Sequence, residues 1–252
     1  ALPSGNLNAA VTRTGTTTLS NGVNVNVNVS NALGSGDVSL VNGWNRLNFN
    51  GMASAGVSQV YTVGGLGATE TNNGITFNDA SSAGTAVFNL NGADALASFN
   101  TIDFKGTSSA DGAQIRSHGG FVTFADSSTA GASTLVNDGA GELVFTDTSN
   151  GGTASIANQG ASQLRVLGDA QLATARVANL DSSKVDISGA NAGVAIGSLR
   201  GAGSVSLGAN ALTLGGLNLD DAISGAIDGT GALNKTGTGT LTLSGPNSYT
   251  GT

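Results

Sequence analysis

Few residues in this chain are of types that do chemistry. There is one histidine, His118, in the segment Arg116-Ser117-His118-Gly119, where an imidazole beside a guanidinium has the composition of a general base with a charged neighbour. The one pair of adjacent carboxylates is Asp220-Asp221. Glycoside hydrolysis needs two carboxyl groups facing each other across about 5 to 10 Å, so such a pair is worth placing. Asp126 and Asp147 lie 21 residues apart and would share a cation if the fold stacked them. Calcium, however, takes six or more oxygens, and the G-G-x-G-x-D nonapeptide that supplies them does not occur. Trp44, Tyr61 and Tyr249 are the aromatic residues suited to stacking on sugars. Trp44, between Asn42-Gly43 and Asn45-Arg46, and Tyr61 are the candidate ligand contacts. Each has a plainer alternative: His118 as an exposed corner residue, Asp220-Asp221 as a turn that ends the apolar strand Leu212 to Leu219, Trp44 as packing for the N-terminal circuits.

Composition narrows the classes. The 252 residues include 40 glycines, 2 prolines and no cysteine, with a net charge of -7. Charged residues make up only 10%, and Val, Ile, Leu, Thr and Asn alternate, which excludes a disordered acidic tail. Abundant glycine without a G-X-Y period signals many turns needing positive φ. Nine scattered Lys and Arg give no footprint for nucleic acid. The absence of cysteine removes thiolate catalysis and the usual zinc sites, and it suits an exported protein. No apolar run approaches the roughly 18 residues of a membrane span. The opening Ala1-Leu2-Pro3-Ser4-Gly5 has no signal-peptide pattern, so targeting and anchoring parts are expected outside this chain.

The elements that must position the candidates are repeats. An apolar-x-apolar strand recurs at Ile102/Phe104, Val122/Phe124, Leu143/Phe145, Leu164/Val166, Val185/Ile187 and Val205/Leu207, at steps of 20 or 21 residues. A second column runs Ile115, Leu135, Ile156 and Val177, then Ile196 after a shorter step. No helical stripe of useful length competes with period-2 runs such as Val23 to Val29 and Thr236 to Leu243. A period near 20, too short for a unit to bury its own apolar face, predicts a solenoid. Three short strands and three corners fill such a circuit, so the expected fold is an all-β, right-handed parallel β-helix of about 20 to 21 residues per coil.

Corner residues support the repeat. Asn137, Asn158 and Asn179 would stack as an asparagine ladder, and Gly106, Asp126, Asp147, Gly168 and Gly189 are types that tolerate the left-handed region. Leu47/Phe49 and Ile75/Phe77 are earlier copies of the strand at intervals of 28 and 27, which places insertions at Gly64 to Asn73, with its lone Glu70, and Asn91 to Ser98. One continuous β-helix of about twelve circuits is expected: residues 1-100 irregular, 100-215 regular, 216-252 a terminal repeat. In that frame His118 and Asp220 lie five coils, about 24 Å, apart and do not share a site. The threonines at 236, 238, 240 and 242 make one row without recurring in earlier coils. Gly201-Ala202-Gly203 and Gly237-Thr238-Gly239 lack the strand-to-helix setting of a nucleotide loop.

The terminal segment resembles the autotransporter-associated strand repeat, L-x-K-x-G-x-G-T-L-x-L-x-G-x-N-x-Y-x-G. Leu233, Lys235, Gly237, Gly239, Thr240, Leu241, Leu243, Gly245, Asn247, Tyr249 and Gly251 match it. The resemblance implies the passenger region of an autotransporter: a non-catalytic adhesin or structural stalk on the bacterial cell surface, exported through a barrel outside this chain. Its expected partners are a host protein, a glycan or a second copy of itself, with no cofactor and no metal. An inert spacer and a polysaccharide-degrading β-helical enzyme are the alternatives. The enzyme requires carboxylates gathered on adjacent coils of one face, which the spacing does not supply.

Overall fold

The structure is a computed structural model that describes residues 3–64, 72–92 and 99–251. Among these residues the regular elements are all β-strands. Eleven strands, from Gly5–Leu7 to Ile227–Asp228, stack in parallel into one sheet, and eleven more, from Thr17–Leu19 to Leu233–Lys235, into a second. The chain alternates between the two sheets up to Leu212–Leu214, so each coil lies on the one before it. The result is a β-solenoid of about 11 turns of about 21 residues. Eleven strands at the usual spacing make a stack about 48 Å tall. The third side is thinner than a three-stranded circuit predicts. It is a column of single parallel bridges through Ser54, Ser82, Ser109, Thr129, Asn150 and Gln171.

Period-2 alternation explains the core. In each first-sheet strand the apolar pair points inward, and the register joins Leu47, Ile75, Ile102, Val122, Leu143, Leu164, Val185 and Val205 as one column. Two residues on, Phe49, Phe77, Phe104, Phe124 and Phe145 stack face to face with centroids 4.6 to 4.8 Å apart. That separation is the strand spacing itself, so parallel in-register pairing dictates the ring stack. The second-sheet column Ile115, Leu135, Ile156 and Val177 also holds. It does not continue to Ile196, which pairs with Leu172, while Leu199 meets Val177. The strand Leu172–Asn179 carries two extra residues across from Val194–Arg200, and this bulge rephases the pairing.

The long circuits pair as the insertions require, Leu47 with Ile75 and Ile75 with Ile102. Most of each insertion, 65–71 with Glu70 and 93–98, lies outside the described residues. Two other expectations need correction. The alternating runs Leu212 to Leu219 and Thr236 to Leu243 are not continuous strands. Gly215 at φ 97° turns the first after Leu214, and Gly237 at φ 69° bends the second, leaving only Leu241–Leu243 as strand.

Corners follow residue type. Gly106, Asp126, Asp147 and Gly168 have φ between 54° and 66°. Gly189 does not join them, because Gly168 bridges Ala190 instead. There the turn is closed locally, by the Ser188 amide and hydroxyl donating to Asp186. Asp126 and Asp147 do more than tolerate φ. Each carboxylate accepts the corner amide of the preceding coil, Gly106 N at 2.8 Å and Asp126 N at 3.0 Å. Asp147→Gly should therefore lose only the amide cap, about 1 kcal/mol, whereas Asp147→Val also forces a β-branched residue into the left-handed region and should lose about 2 to 3 kcal/mol, read as urea midpoints.

Asparagines fill one internal corner. Asn137 Nδ2 donates to Asn158 Oδ1 at 2.9 Å, and Asn158 Nδ2 to Asn179 Oδ1 at 3.0 Å, all three side chains being buried. Small residues across the corner make the room. A Cβ on Gly141 would sit 2.5 Å from Asn137 Oδ1, and one on Gly203 2.5 Å from Asn179 Nδ2. Between them Ser162 and Ser183 donate to Asn158 and Asn179 at 2.8 and 2.7 Å. In the N-terminal coils a second buried set, Asn45, Asn73 and Asn100, occupies the position just before each first-sheet strand.

Candidate functional site

The two aromatic candidates part company. Trp44 is 68% exposed, held out at a corner by its buried neighbour Asn45, whose Oδ1 accepts the amides of Gly22 and Val23 and whose Nδ2 donates to Val41 O and Asn73 Oδ1. Tyr61 is corrected: it is 0% exposed, stacked on Phe88 at 4.8 Å, and cannot touch a ligand. Its hydroxyl donates to Ala55 O at 2.7 Å, and burial pushes its pKa far up. The alternation that makes Val57–Val63 a strand turns Tyr61 to the inside.

His118 ends the strand Gln114–His118, exposed, with Nδ1 2.5 Å from Asp138 Oδ1 on the next coil. Arg116 is on the same outward face, since Arg116 pairs with Val136 as His118 pairs with Asp138. Asp220-Asp221 is not a plain turn. Asp221 opens the strand Asp221–Ile223, is 4% exposed, and accepts from Ser198 Oγ at 2.6 Å and Leu199 N at 3.3 Å. Asp220 is exposed and accepts Thr240 N at 2.6 Å. Register counting keeps His118 and Asp220 five coils apart, so these groups do not meet. No group of three or more His, Cys, Asp or Glu able to hold a metal occurs among the described residues.

Two shifted carboxylates sit on the outer face of the first sheet. Burial pushes Asp103 above the usual carboxylate range, against the opposing pull of the Thr101 hydroxyl and the Lys105 charge. At Asp186 burial raises the pKa too, but hydrogen bonds from Ser188 and Lys184 outweigh it and hold the carboxyl low. Both fit structural roles along a column that also holds Arg165, whose guanidinium reaches Glu142 at 2.8 Å.

Residue types alone did not point to two surface features. The first is a pair of outward amide ladders on the N-terminal coils of the first sheet. Asn26 Nδ2 donates to Asn6 Oδ1 at 2.8 Å and Asn48 Nδ2 to Asn26 Oδ1 at 3.0 Å. Beside them Asn28, Asn50 and Asn78 donate in turn to Asn8, Asn28 and Asn50 at 2.6 to 3.0 Å. The alternation Val23 to Val29 is their sequence signal: valines inside require asparagines outside. The second is a cleft of about 370 Å³ on the second sheet near its C-terminal end, lined by Ser155, Arg176, Ala178, Ser198, Arg200 and the Asp220-Asp221 segment. Arg176 and Arg200 are 24 residues apart, off the period; past the bulge Arg176 pairs with Ser198 and Ala178 with Arg200, which leaves the two arginines on adjacent coils two residues out of register.

These features define a parallel β-solenoid with a polar, ladder-bearing side and a cleft between arginines. The chain matches no protein-family model, no curated protein and no solved structure.

Proposed function

We propose that this chain is a non-catalytic β-helical stalk displayed on the outside of a bacterium, whose sides bind a host surface, a glycan or a second copy of itself. The observation that carries the binding role is the pair of outward asparagine ladders. They present amide groups at a fixed repeat of one coil, so a periodic partner meets the same contact again on each coil. Single hydrogen bonds contribute about 0.5 to 1.5 kcal/mol, and repetition along the rod is what makes them add. The display outside the cell, with export through a membrane barrel beyond this chain, rests on the autotransporter-like motif between Leu233 and Gly251.

Sedimentation velocity over a concentration series, together with a glycan array, tests the proposal. Concentration-dependent association or a saturable glycan signal is expected. Asn26→Asp, Asn48→Asp and Asn50→Asp combined should weaken association through the ladder face, because they put like charges on neighbouring coils. A monomer that binds no glycan would leave the inert spacer as the better description.

A further inference from the structure

The cleft on the second sheet has a charge pattern not repeated elsewhere among the described residues. Arg176 pairs with Ser198 and Ala178 with Arg200, so the two arginines stand on adjacent coils, offset by two residues. Strand geometry puts their Cα atoms about 8 Å apart, close enough for two long side chains to converge on one group. Both are exposed, and neither guanidinium has a hydrogen bond or ion pair among the described residues, although acidic residues outnumber basic ones 16 to 9. The neighbouring carboxylates are already engaged, Asp220 by the Thr240 amide and Asp221 by Ser198 and Leu199. The cleft thus offers two guanidinium forks that lack acceptors.

The forks belong to a longer strip. Arg116, Val136, Ala157, Ala178 and Arg200 follow one another on successive coils of the outer face. An arginine stands at each end of a floor of small side chains, four coils or about 19 Å apart. Arg116 is also exposed and without a partner among the described residues.

We propose that this strip binds an acidic oligosaccharide, a chain of uronic acid residues lying along the solenoid axis. One carboxylate sits between Arg176 and Arg200, and sugar faces lie over Ala157 and Ala178. A guanidinium fork matches a carboxylate with two parallel hydrogen bonds, and the small floor lets a ring approach the sheet. The floor favours sugar over peptide: Val136, Ala157 and Ala178 are apolar side chains that ring faces can cover, and they offer no polar side chain to the backbone of an extended peptide. The inference rests on the reading of the solenoid's sides as binding surfaces and names the ligand class for one of them.

Titration calorimetry of the whole chain with hexagalacturonate, its methyl ester and hexaglutamate is the test. The free acid should bind saturably and more weakly as salt rises, and the ester should not bind. Arg176→Gln with Arg200→Gln should weaken binding at least about tenfold, the loss expected for removing two charge-assisted contacts. Arg165→Gln, on the other sheet and paired with Glu142, should leave binding unchanged. Arg116→Gln should weaken hexagalacturonate but not digalacturonate, which is too short to reach it. Absence of binding to hexagalacturonate, full binding by the double variant, or equal binding of hexaglutamate would each overturn the assignment. A neutral-glycan signal or ladder-face association that persists in the double variant would leave the broader adhesive proposal standing while this one fails.

Discussion

Phe104→Ala should lower the unfolding free energy by about 3 to 5 kcal/mol, measured by urea denaturation. The ring is fully buried and sandwiched, with Phe77 at 4.7 Å on one side and Phe124 at 4.6 Å on the other, both nearly parallel to it. Deleting it leaves a gap that neighbours cannot close, because backbone ladders on both flanks fix the coil spacing. Phe145 provides the internal comparison: it ends the stack, with Phe124 as its one ring partner and Val166 on the next coil. Phe145→Ala should therefore cost less, by about the 0.5 to 1.5 kcal/mol that one aromatic pair contributes beyond burial. Equal losses at the two positions would mean that ring stacking adds nothing to apolar area here. Because a solenoid's stability is a sum of coil and interface terms, hydrogen exchange should show protection falling first in the coils flanking Phe104.

Asn158→Ala should cost about 2 to 4 kcal/mol, although no charge and little apolar surface is lost. The side chain is the middle rung of the buried ladder. Its Nδ2 donates to Asn179 Oδ1 and Lys184 O, and its Oδ1 accepts from Asn137 Nδ2 and Ser162 Oγ. Removing it breaks four hydrogen bonds in a place water does not reach, and the abandoned groups bear the desolvation penalty. The contrasting substitution is Ser128→Ala. Ser128 is equally buried, but its hydroxyl has no hydrogen-bond partner, so its loss should change stability by less than about 0.5 kcal/mol. Thermal and urea unfolding of the two variants side by side would show whether burial or bonding decides the cost of a polar residue inside this solenoid.

Local alternation and the 20-to-21-residue period determined by themselves that the chain is a β-solenoid. Side-chain direction in a strand has a period of two, and stacking gives each apolar column the same coil-to-coil interval. The corner types were legible for a related reason, since Asp and Gly at Asp126, Asp147, Gly106 and Gly168 are residues that accept positive φ. The 21-residue spacing of Asn137, Asn158 and Asn179 likewise fixed that they stack, but whether they stack inside or outside was decided only by the corner they turn into. Asn45, Asn73 and Asn100 escaped notice because the insertions hide their period. Tyr61 shows the limit from the other side. Its residue type suggests a sugar contact, yet the register of Val57–Val63 buries it. The geometry of the arginine cleft was beyond reach of the sequence for a related reason. Whether Arg176 meets Arg200 directly or two residues out of register is set by the two-residue bulge in Leu172–Asn179, and a bulge is a property of how two strands pair, not of either strand alone.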